Sequence, residues 1–135
     1  MLTLSTAYWC VLIAALLPYA WVMIAKSSGE RYSNRDPRGW IARQENPRVH
    51  FANGAQLNAF EAFAPFAAGV VLAQLAGVNA ERIALLAIIF VVLRVLHGLL
   101  YIGNKPPLRS LAWFGAFVCV LLLLVQAALR IGATA

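Results

Sequence analysis

Four long apolar runs alternate with polar breaks along the chain. They cover about 4–25, about 52–77, about 82–102 and about 108–130. Each is long enough to cross a hydrocarbon core of about 30 Å at about 1.5 Å of rise per residue. Lipid offers backbone groups no hydrogen-bonding partner, so such runs must be helices. The predicted architecture is an all-α integral membrane protein, one domain over 1–135, built as a four-helix bundle. The breaks are informative. "VNAE", 78–81, is a tight turn in which Asn79 can cap the third helix. "GNKPP", 103–107, reads as a stop of glycine and two prolines. The first connection, 27–51, is long, basic and rich in Asn, Pro and Arg.

Composition excludes a soluble fold. Of the 135 residues, 62% are hydrophobic and 12% charged, and mean hydropathy is +0.76. A soluble chain of this length could not hide so much apolar surface. The net charge of +6 is concentrated: Lys26, Arg31, Arg35, Arg38, Arg43 and Arg48 all fall in the first connection. Beside four spans, such a cluster reads as a positive-inside signal rather than a nucleic-acid surface, and no nucleic-acid partner is expected. Lys105 and Arg109 share that side, and only Arg82 and Arg130 lie opposite. Connections 27–51 and 103–107 are therefore expected in the cytoplasm and both termini outside or lumenal. Trp9, Trp40 and Trp113 fit interfacial anchors. Cys10 and Cys119 sit inside apolar runs, where a disulfide has no purpose. The first run has no basic leader and the length of a full span, so it is read as a helix and not a cleaved signal.

The exceptions within the spans carry the chemistry. Glu61, Arg94 and His97 are strongly polar side chains at membrane depth, where such groups are costly and point to function. Asn58 and Glu61 share one face of the second span, and Arg94, His97 and Tyr101 one face of the third. In an antiparallel pair, residues at equal depth have a constant index sum. That rule sets Glu61 level with Arg94 and Asn58 level with His97, predicting an ion pair and a hydrogen bond in the cytoplasmic half of the membrane. Tyr101 and Arg109 extend the strip towards the surface. Buried ion pairs are often neutral for stability, so glue between helices is a weak reason for five polar groups in one strip. A polar cavity open to the cytoplasm is the stronger reading. Pro65 should kink the second span, and Gly54, Gly69 and Gly98 should let helices approach closely.

These residues carry a resemblance. "AQLNAFEAFAPF" resembles the signature of the MAPEG family, the membrane-associated proteins in eicosanoid and glutathione metabolism: Asn58, Glu61, then Pro65-Phe66. "RVLHGLLYIGNKPPLRS" is similar to the third-helix motif of microsomal glutathione transferases, with Arg94, His97, Tyr101, Arg109 and Ser110 in place. The resemblance implies a homotrimer of four-helix protomers with glutathione as co-substrate near the cytoplasmic face. It implies Asn58, Glu61, Arg94, His97 and Ser110 as binding residues, and Arg109 and Tyr101 as the catalytic pair acting on the thiol. A lipophilic small-molecule substrate would enter from the lipid, and no metal is expected. Family members carry an arginine four residues before the signature Asn. This chain has Gly54 there, and Arg48, or another arginine of the first connection, is a cation that could replace it. The absence of a leader or sorting signal suits a bacterial inner membrane.

Three functions compete. The first is a glutathione-dependent transferase or peroxidase acting on lipophilic electrophiles. The second is a small proton-coupled multidrug-type exporter using Glu61, which a permanent pair with Arg94 would handicap by lowering the acid's pKa. The third is a non-catalytic membrane assembly protein.

Overall fold

The computed structural model describes residues 2–133, so residue 1 and residues 134–135 of the expected domain lie outside the described residues. Four long helices are apolar enough to cross a membrane: α1 (Leu4–Ser28), α3 (Pro47–Leu75), α4 (Ala80–Ile102) and α5 (Pro106–Gly132). A short helix, α2 (Pro37–Arg43), lies in the first connection. The expected spans are all present, and the differences lie at their ends. Pro47 and Pro106 begin helices that the sequence pattern starts later. Proline is well suited to a first turn, because its missing N–H would have no intrahelical partner there. Thus Pro106 and Pro107 open α5 rather than stop α4. Asn46 caps α3 by accepting from Arg48 N at 3.0 Å. Asn79 caps α4 as expected, accepting from Glu81 N at 2.9 Å and Arg82 N at 3.2 Å. α3 runs as one helix through Pro65.

α3 and α4 pack on each other, and each also packs on both α1 and α5. Among the described residues α1 and α5 make no mutual contact, so they flank the central pair. The seams between helices are lined by small residues at spacings of three and four: Ala7, Cys10, Ala14 on α1, and Ala112, Ala116, Cys119 on α5. Lipid tails are as apolar as the side chains, so close backbone approach and dispersion supply cohesion. Many large residues are instead spent on the outer faces, where Leu16, Leu75, Leu111 and Leu129 are exposed. Some large rings do enter the core. Phe66 of α3 and Phe90 of α4 stack with centroids 3.8 Å apart and planes 9° from parallel. Gly98 on α4 receives the Trp21 indole, which occupies the place of a side chain, and Gly69 lets Leu123 approach α3.

The first connection is an ordered strap rather than the loop expected over 27–51. Gln44, buried, accepts from Glu30 N at 2.8 Å and donates to the Trp40 carbonyl at 3.1 Å. Asn46 Nδ2 donates to the Ser28 carbonyl at 2.8 Å. Asp36 caps α2 through Gly39 N and pairs with Arg43 at 3.3 Å. Trp40 is not an interfacial anchor. It is 4% exposed, packed with Ala25, Val49 and Ala52, and its indole N–H donates to the Arg31 carbonyl. Trp9 and Trp113 are exposed as expected.

Candidate functional site

The polar strip lies where α3, α4 and α5 meet, with Tyr101 also packed against Trp21 of α1. Arg94 and His97 project inward from successive turns of α4 and are 3% and 2% exposed. Asn58 on α3 is half-buried and Glu61, one turn further along, is exposed on the protein surface. Tyr101 and Arg109 are half-buried, and Ser110 is exposed at the first turns of α5. Arg109 comes near α4 because α5 starts at Pro106 after a three-residue turn, 103–105, in which Asn104 takes a positive φ of 51°.

The expected pairing is one helical turn out of step. Glu61 and Arg94 form no ion pair, and Asn58 does not bond His97. Instead Arg94 Nη2 donates to Asn58 Oδ1 at 2.7 Å, and Asn58 Nδ2 points to Glu61 Oε2 at 3.5 Å. The index rule places backbones, not side-chain tips. An arginine spans the three-residue offset, about 4.5 Å of helix rise, without strain. With Asn58 Oδ1 occupied, His97 Nδ1 is buried with no hydrogen-bond partner. The His97 ring instead meets Tyr101 edge-on, centroids 5.7 Å apart. The Arg109 guanidinium lies over the Tyr101 ring, 4.2 Å from its centroid, a cation–π arrangement that costs arginine little hydration.

Two grooves open beside these side chains. The one nearer the 103–105 turn is about 240 Å³ and is lined by Asn58, His97, Tyr101, Arg109, Ser110 and Trp113. The deeper one is about 180 Å³. Asn58, Glu61 and Arg94 form its polar rim, and Pro65, Phe90 and Phe117 belong to its apolar wall. The grooves share Asn58 and Trp113. All seven residues singled out from the sequence therefore border one continuous polar-to-apolar surface. Arg48 does not: it is exposed on the first turn of α3 and lines neither groove.

Trp113 is the residue that sequence reasoning assigned elsewhere. It borders both grooves and stacks on Phe117, centroids 5.2 Å apart. Its spacing from Arg109, four residues on the same helix, was the available signal.

Chemically, the surface offers two guanidinium groups, one carboxylate, one amide and two hydroxyls above an aromatic floor. That set suits a small zwitterion with more than one carboxylate, held at the mouth, and an apolar molecule beneath it.

A family model described as the MAPEG family matches residues 6–129. No curated protein and no solved structure matches the chain.

Proposed function

The chain belongs to the MAPEG family, a class of membrane proteins in glutathione and eicosanoid metabolism, and from that premise we propose a glutathione-dependent transferase or peroxidase acting on lipophilic electrophiles. The observation that carries the reading is the convergence of Asn58, Glu61, Arg94, His97, Tyr101, Arg109 and Ser110 on two grooves with shared walls. Glutathione has two carboxylates, an ammonium and a thiol. The donor set fits it: Arg94 and Arg109 for carboxylate or thiolate charge, Glu61 for the ammonium, Asn58 and Ser110 as neutral partners. When bound, it supplies a nucleophilic sulfur. Arg109, half-buried over the Tyr101 ring, holds positive charge at the mouth and favours the ionised sulfur. Tyr101 lines the same groove and is the second candidate donor to the sulfur. The apolar wall of the deeper groove excludes water and receives the electrophile from the bilayer.

A homotrimer belongs to the same proposal. Glu61 is a carboxylate exposed on the surface of one protomer within a spanning helix, and a second copy laid over α3 would remove it from lipid. An integral, multi-pass protein of a bacterial inner membrane, with the strap and the 103–105 turn in the cytoplasm, completes the reading.

The test is the appearance of thiolate absorbance when glutathione is mixed with purified protein. It should be lost in Arg109→Ala and weakened in Glu61→Gln. No signal from the wild-type protein sinks the proposal.

The absence of a Glu61–Arg94 ion pair favours one alternative, proton-coupled export with the exposed Glu61 as proton and substrate site. That alternative requires pH-driven substrate flux in vesicles that Glu61→Gln abolishes.

A further inference from the structure

Gly54 lies one turn before Asn58 on α3. A Cβ built there would be 2.6 Å from Tyr101 Oη, 2.7 Å from Cζ and 2.8 Å from Cε1. Ordinary carbon contacts lie at about 3.5–4.0 Å, so the hydroxyl end of Tyr101 occupies the room that any side chain at position 54 would need. Alanine is the better helix former, so local helix preference does not account for a glycine here. The ring is confined on its other sides as well. It packs on the cluster of Trp21, Ala55 and Ala59, meets the edge of His97, and carries the Arg109 guanidinium over its face. Tyr101 is therefore a wedge joining three helices. Its position is set by α3 and passed to a cation on α5. Arg109 has no ion pair of its own to hold it, and a long guanidinium side chain without a fixed surface samples many rotamers.

We propose that Gly54 is a positioning residue: by seating the Tyr101 ring on α3 it fixes the platform on which Arg109 stacks, and so sets where that cation stands in the groove. The consequence for thiol ionisation rests on the glutathione reading above; the positioning itself does not. An arginine at position 54 would expel Tyr101 from its seat, so this site holds its cation by a stack from α5 rather than by a charge on α3.

The experiment uses the full chain in detergent and has two readouts. The first needs no glutathione. The Arg109 Nε–H resonance, identified by its loss in Arg109→Lys, should be shifted upfield by the Tyr101 ring. Gly54→Ala should move it towards the value of a free arginine, as should Tyr101→Leu, which leaves α3 untouched and serves if Gly54→Ala does not fold. Tyr101→Phe should leave it in place. The second readout is the pH titration of thiolate absorbance with glutathione. Its midpoint should rise in Gly54→Ala by about one pH unit, a tenfold loss of thiolate stabilisation. An Arg109 resonance that stays put in Gly54→Ala overturns the proposal. If it moves while the wild-type protein gives no thiolate, the positioning stands and the glutathione reading falls. If both readouts work in the wild type and neither changes in Gly54→Ala, the reading stands and the positioning falls.

Discussion

Replacing Asn58 with alanine removes the acceptor that lies 2.7 Å from Arg94 Nη2. Arg94 is 3% exposed, so its guanidinium cannot turn to bulk water for a substitute. A hydrogen bond from a charged donor is worth about 1.5–3 kcal/mol in water-soluble proteins. Between membrane helices the average is about 0.6 kcal/mol and the upper end about 1.7, because the unfolded chain in the membrane also finds partners. A charged, almost fully buried donor belongs at that upper end, so Asn58→Ala should cost about 1.5 kcal/mol. Glu61→Gln should cost less than about 0.6 kcal/mol, because the carboxylate is exposed, makes no ion pair and has a long hydrogen bond to Asn58 at 3.5 Å. The assay is unfolding of the full chain in mixed micelles by increasing sodium dodecyl sulfate, comparing free energies at a common composition. A double-mutant cycle of Asn58→Ala with Arg94→Gln should return a coupling of about 1 kcal/mol. If Glu61→Gln proves the more costly substitution, the acid is paired directly to Arg94 and the offset pairing described above is wrong.

Further outcomes follow from the same contacts. Gly98→Ala drives a methyl group into the Trp21 indole; overpacking costs about 1–3 kcal/mol, against up to about 1 kcal/mol gained in helix preference, so stability should fall and Trp fluorescence should change. The Gly39 amide, and then the Arg43 guanidinium, hold the Asp36 carboxyl below the usual carboxylate range. Its stabilisation of α2 is therefore complete above the unfolded value of about 3.9 and is lost as pH falls through the lower folded value. Trp40 fluorescence should stay flat from neutral pH to about 4 and change below it, and Asp36→Ala should remove that step. Arg38→Cys should react with an impermeant maleimide from the cytoplasmic side and Arg82→Cys from the opposite side, since Cys10 and Cys119 are buried and silent; the reverse pattern would invert the topology.

Most of the fold was legible because hydropathy reports the one constraint that lipid imposes on every residue. Span ends were less so. Pro47 and Pro106 look like breakers in a linear reading, yet at a first turn they initiate. The strap was missed as structure because its order comes from single side-chain bonds, Gln44 to Glu30 and Asn46 to Ser28, that no periodicity encodes. Helical spacing put Asn58, Glu61, Arg94, His97 and Tyr101 on faces that do meet, and Ser110 came only from the family resemblance. The spacing chose Glu61 as the partner of Arg94 where the structure gives Asn58, because the partner depends on where a flexible side chain ends. Gly54 carried the least signal of all: its meaning lies in Tyr101, which is distant in sequence and adjacent in space.

The most direct test of the account is calorimetric titration of glutathione into the purified full-length protein, repeated with Arg109→Ala and Glu61→Gln. The account predicts saturable heat and a raised thermal midpoint for the wild type, with binding weakened in both variants. A wild-type protein that gives neither heat nor thermal shift with glutathione would contradict it.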